Sequence, residues 1–132
     1  MSLPIGYKAN RNKLNVALNA HQGDRKKVLT VCSAGVLRSP TLAYVLQREF
    51  GYNTRSVGST HTFALIPISE ALIAWADEIV FVDFDAYDIL DAEIIEDIKD
   101  YAPVIKILDV PDDYNYGTEE LENILLELYL KS

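Results

Sequence analysis

A cysteine and an arginine separated by five residues, Cys32 and Arg38, mark the stretch of the sequence best suited to chemistry. It reads Cys32-Ser33-Ala34-Gly35-Val36-Leu37-Arg38-Ser39-Pro40. A loop of this length can curl into a cup whose backbone N–H groups converge on an anion. Small side chains at Ser33, Ala34 and Gly35 permit the tight turn and a close approach to that anion, and Val36 and Leu37 complete the loop. Cys32 would lie on the floor of the cup, where N–H dipoles, a helix terminus and the Arg38 guanidinium all stabilise a thiolate. A thiolate can attack phosphorus and form a phosphocysteine. Arg38 can hold a pair of equatorial phosphoryl oxygens bidentately, which lysine cannot do with the same geometry. Ser39 can hydrogen-bond the sulfur and steady it as a leaving group. Phosphoryl transfer mainly requires this positioning and charge stabilisation.

A cysteine and an arginine at this spacing also occur by chance, one buried in a core and the other solvated. The flanking elements argue against chance. Val28–Cys32 reads as a buried first strand, and Ser39 as the N-cap of a helix with Pro40 as its first residue. That helix carries Leu42, Val45, Leu46 and Phe50 on one face and stops at Gly51. In open α/β sheets, ligands bind beyond the carboxyl ends of strands, where helix N-termini offer free N–H groups.

The rest of the chain supplies a scaffold of the same type. Thr54–Gly58 is expected as a second strand and Ser69–Ala76 as a helix, followed by a third strand at Glu78–Val82. A loosely amphipathic helix over Asp85–Tyr101 and a fourth strand at Val104–Val110 follow. Thr118 is expected to cap a last helix with Leu121, Ile124, Leu125 and Leu128 as its core stripe. The alternation predicts an α/β fold in three layers, a four-stranded parallel sheet of flavodoxin-like order 2-1-3-4 flanked by helices. Residues 1–26 form a polar, Asn-rich extension with room for a short helix over 12–20, read either as a mobile tail or as an ordered lid, and residues 27–132 form the domain.

With these elements in place, the loop resembles that of the low-molecular-weight protein tyrosine phosphatases, Cys-x-Gly-Asn-x-Cys-Arg-Ser-Pro. The likeness covers about residues 27–131 and includes Ser56-Val57-Gly58, similar to the family's Ser-Ala-Gly. It implies a four-stranded parallel sheet and a phosphocysteine mechanism. A leaving oxygen needs a proton, and the family places the aspartate that donates it in a Val-Pro-Asp-Pro-Tyr-like segment. Here that segment is Val110-Pro111-Asp112-Asp113-Tyr114-Asn115-Tyr116-Gly117. Asp112 matches the family acid, with Asp113 and Asp109 as alternatives; a plain solvated turn is the other reading of Pro-Asp-Asp. Tyr114 and Tyr116 resemble the aromatic pair that walls the family's substrate cleft. Three positions depart from the pattern: Gly35 replaces an asparagine, Leu37 a second cysteine and Asp113 a proline. The short span from Gly58 to Ile79 resembles a compact branch of the family.

Composition sets outer bounds. The chain has 132 residues, enough for a single domain with its own core. One cysteine excludes an internal disulfide and a multi-cysteine metal site, and suits a reducing, cytoplasmic setting. His21 and His61 are not clustered with other ligands, so neither a metal nor a cofactor is expected, and Trp75 reads as packing. The net charge of −8 hides a basic segment at residues 1–55 and a strongly acidic remainder. It argues against nucleic acid as a partner. No apolar run suits a membrane span. The expected activity is hydrolysis of a phosphomonoester on a phosphorylated protein or small molecule, with phosphotyrosine the leading substrate. The alternatives are a catalytically weak phosphate-binding pseudophosphatase and an arsenate reductase. Oligomeric state is left open.

Overall fold

A computed structural model describes residues 25–33, 38–59, 66–110 and 118–132. Strand β1 (Lys27–Cys32) leads to helix α1 (Arg38–Phe50), and β2 (Asn53–Gly58) to α2 (Glu70–Trp75). Strand β3 (Glu78–Phe81) is followed by a short α3 (Phe84–Asp88) and by α4 (Ala92–Tyr101). Strand β4 (Val104–Ile107) and helix α5 (Thr118–Lys131) complete the described elements. All strand pairs are parallel and the order is β2-β1-β3-β4, in agreement with the expected fold class.

Each face of the sheet is covered by its own apolar layer. Leu29, Val31, Ile79 and Phe81 pack with Ile73 of α2 and Ile94 and Ile98 of α4. On the other face Val28, Cys32 and Val80 pack with Leu42 and Leu46 of α1 and Leu121, Leu125 and Tyr129 of α5. The central strands β1 and β3 are buried on both faces, which is why they read as continuous apolar runs rather than as alternating ones.

Several element boundaries differ from the sequence-based expectation. Helix α1 begins at Arg38, so Ser39 sits inside its first turn instead of capping it. Pro40 is tolerated there because first-turn N–H groups have no intrahelical acceptor. The helix ends at Gly51, whose φ of 71° is left-handed and whose N–H reaches Gln47 O at 2.9 Å. The single helix expected over Asp85–Tyr101 is two helices. Asp83 caps α3 through a 2.8 Å bond from Ala86 N–H, and Asp91 stands at the N-cap of α4. The break turns the buried Leu90 inward. Strand β4 stops at Ile107 because Asp109 takes a left-handed φ of 57°, although Leu108 and Val110 still donate to Phe81 O and Val82 O. Of the N-terminal extension only Arg25 and Lys26 are among the described residues.

At the amino ends of the strands lies a charged cluster that periodicity could not reveal. Glu78, with no exposed surface, forms ion pairs with Lys26 and, at 3.5 Å, with Lys106. Tyr129 O–H donates to Glu78 Oε1 at 3.2 Å, and the Lys106 ammonium lies 4.3 Å from the Tyr129 ring centroid. Burial, and then the Glu78 charge, push the Tyr129 phenol above its ordinary value. The folded chain therefore binds this proton more tightly than the unfolded chain does. Its contribution to stability is complete below the ordinary tyrosine value of about 10 and is lost as the pH rises beyond it. Urea midpoints measured from pH 8 upward should fall in the alkaline range for the wild type. They should fall less steeply for Tyr129→Phe.

Candidate active site

Cys32 ends β1 at the carboxyl edge of the sheet and Arg38 opens α1, so strand end and helix start face one another across the intervening loop. The junction is sewn together by side chains. Thr30 Oγ1, fully buried, donates to Ser39 O at 2.8 Å and fixes the first turn of α1 against β1. Ser39 is also fully buried, with its Oγ 3.2 Å from Cys32 Sγ and donating at 3.3 Å to Val57 O of β2. In the thiol state the S–H donates to Ser39. A thiolate can instead accept the Ser39 proton, since one hydroxyl rotation exchanges the Val57 carbonyl for the sulfur. Ser39 thus gives up the capping role expected of it and gains a direct contact with the Cys32 sulfur.

The strand end is braced from β2 as well. Ser59 N–H is shared between Cys32 O at 2.9 Å and Ser33 O at 3.0 Å, and Ser59 Oγ donates to Ala86 O in α3 at 2.5 Å. Strand β3 lies on the other side, where Val82 N–H donates to Val31 O at 2.9 Å. The chain then delivers Asp83, whose Oδ2 pairs with Arg38 Nη1 at 2.9 Å. The sequence reading missed Asp83. The signal was present, since an aspartate directly after an apolar strand lies at the same sheet edge as the cysteine loop.

The structure therefore brings together Cys32, Arg38 and Ser39, and adds Asp83. Ser33 follows Cys32 at the mouth of the loop. Ala34, Gly35, Val36 and Leu37 lie outside the described residues, as do Asp112, Asp113, Tyr114, Tyr116 and both histidines. Asp109 is described, exposed and left-handed, beyond the end of β4. Val110, bonded to Val82, is buried at the same carboxyl edge. Among the described residues no cluster of His, Cys, Asp or Glu could hold a metal ion. No described helix is long and apolar enough to cross a membrane.

No protein-family model and no curated protein matches the chain. Solved structures do share its fold. The YwlE arginine phosphatase from Geobacillus stearothermophilus superposes with a TM-score of 0.56 at 17% identity, covering 80% of this chain and 86% of that one. Vibrio vulnificus Wzb, solved in complex with benzylphosphonate, gives 0.56 at 17% identity over 81% of this chain and 96% of its own. A thioredoxin-dependent arsenate reductase from Corynebacterium glutamicum gives 0.56 at 15% identity, covering 96% of this chain and 70% of its own. The chain thus has a flavodoxin-like parallel α/β fold that it shares with phosphatases and with an arsenate reductase.

Removing the Ser39 hydroxyl tests the junction directly. Ser39→Ala should lower stability by about 1 kcal/mol, the ordinary worth of a buried hydrogen bond. The change should appear as a lower urea midpoint with an unchanged slope.

Proposed function

We propose that the chain is a divergent member of the low-molecular-weight protein tyrosine phosphatase family, hydrolysing phosphomonoesters through a phosphocysteine intermediate. The observation that carries the proposal is the junction itself. The chain's one cysteine ends a central strand and touches, at 3.2 Å, a buried serine hydroxyl in the first turn of the helix that Arg38 opens. Phosphatases that share this fold support the reading, as does the Cys32-to-Pro40 motif.

In this reaction Cys32 Sγ attacks phosphorus, forming the S–P bond as the ester P–O bond breaks. Asp112 gives its proton to the departing oxygen. Arg38 and the loop N–H groups, including those of Ser33 through Ser39, carry the charge of the equatorial oxygens. Water then attacks phosphorus, Asp112 takes back a proton, and the thiolate leaves. Donation from Ser39 lowers the energy of that leaving thiolate.

For the substrate we propose an aryl phosphate, phosphotyrosine on a protein, with Tyr114 and Tyr116 as the flat walls that would receive its ring. Arsenate reduction fits less well, because this chain has a single cysteine and no second thiol to carry the oxidation onward.

Hydrolysis of para-nitrophenyl phosphate should persist in chelator, be inhibited by vanadate and disappear in Cys32→Ser. Asp112→Asn should lower kcat by about 10²–10⁴-fold, the usual range for a lost general acid, and Asp113→Asn should stay near wild type. Turnover that survives Cys32→Ser would exclude the mechanism. Oxyanion binding without a burst of phosphoenzyme would point instead to a phosphate-binding module.

A further inference from the structure

We propose that Asp83 is a positioning residue that presets Arg38 for the oxyanion; the inference rests on the phosphatase reading above. Asp83 is engaged through both carboxylate oxygens. Oδ1 accepts from Ala86 N–H at 2.8 Å and caps α3, while Oδ2 holds Arg38 Nη1 at 2.9 Å. The side chains are 15% and 27% exposed respectively, so the pair is largely shielded from water. The backbone leaves Asp83 little freedom. Val82 N–H is bonded to Val31 O and Val110 N–H to Val82 O, so the residue before Asp83 is pinned from both neighbouring strands.

A carboxylate next to an anion site repels the incoming substrate, so its presence there calls for a compensating role. Orientation of the guanidinium supplies one. An arginine side chain has several rotatable bonds, whereas its planar head has five donors in a fixed fork. With Nη1 directed to Asp83, the remaining donors stay available for the phosphoryl oxygens. An interaction made before substrate arrives lowers the ordering cost of reaching the transition state. Asp83 touches neither substrate nor sulfur in this scheme and acts only through Arg38.

Asp83→Asn separates the two contacts. The amide oxygen still accepts from Ala86 N–H and asparagine caps helices well, but its NH2 group meets Arg38 donor to donor. The purified chain would be assayed with para-nitrophenyl phosphate and by vanadate binding, as wild type, Asp83→Asn, Arg38→Ala and the double variant. We expect Asp83→Asn to lower kcat/KM by about 10- to 100-fold, the scale of a displaced catalytic group. It should weaken vanadate binding similarly and leave the urea midpoint close to wild type. Added to Arg38→Ala, it should have no further effect. Unchanged kinetics and vanadate affinity in Asp83→Asn would overturn the inference. So would an equal loss in the Arg38→Ala background. A wild type that neither hydrolyses the ester nor binds vanadate would overturn the phosphatase reading and this inference with it. Vanadate binding in the wild type with unaltered affinity in Asp83→Asn would overturn this inference alone.

Discussion

Everything at the carboxyl edge of the sheet depends on β1 being held between β2 and β3. Pairing runs from Lys27 opposite Asn53 to Cys32 opposite Gly58 on one side, and from Val28 opposite Glu78 to Val31 opposite Phe81 on the other. A strand bonded along both edges cannot slide by one residue without moving its side chains to the opposite face. The position of Cys32 is therefore set by the whole sheet rather than by its own loop. Thr30 extends that constraint to α1, because its hydroxyl ties the first helical turn to the strand beneath it. Sulfur, serine hydroxyl and guanidinium thus hang from a frame that the loop does not have to build.

The same frame explains what could be read from the sequence. Apolar runs at Val28–Cys32 and Glu78–Val82 announced strands buried on both faces, and the helical spacing of Leu42, Val45 and Leu46 announced the covering layer. The cysteine loop was legible because its chemistry is local: six residues of spacing, with a strand before and a helix after. Asp83 was not legible in that way. Its place directly after an apolar strand was readable, but its pairing with Arg38 follows from the adjacency of β3 to β1 and not from any local spacing. The break between α3 and α4 escaped for a related reason, since Leu90 fits a helical pattern as well as it fits a turn that faces inward. The end of β4 at Ile107 depends on the left-handed backbone of Asp109, a residue that tolerates the conformation without advertising it.

The charge distribution also makes sense in this arrangement. Acidic as the chain is, the carboxylate beside Arg38 is engaged rather than left bare. Asp83 is occupied twice, by Arg38 and by the helix it caps. Glu122 of α5 is partnered by a cation far along the chain, Arg48 of α1, at 2.7 Å. That pair also fastens the two helices of one covering layer to each other.

The cluster around Glu78 has a consequence for how the molecule assembles. Lys26 precedes β1, Lys106 lies in β4 and Tyr129 in the last helix, 51 residues from its carboxylate partner. No sub-assembly drawn from one half of the chain can supply all three partners. A form with β1 and β3 paired but α5 undocked loses the Tyr129 hydrogen bond to Glu78 and leaves the apolar face around Val28 and Val80 uncovered. Half-built states are thereby raised in energy relative to both the unfolded and the finished chain. The buried glutamate at the end of the sheet remote from Cys32 thus favours all-or-none folding, in which the frame that holds Cys32 is either complete or absent.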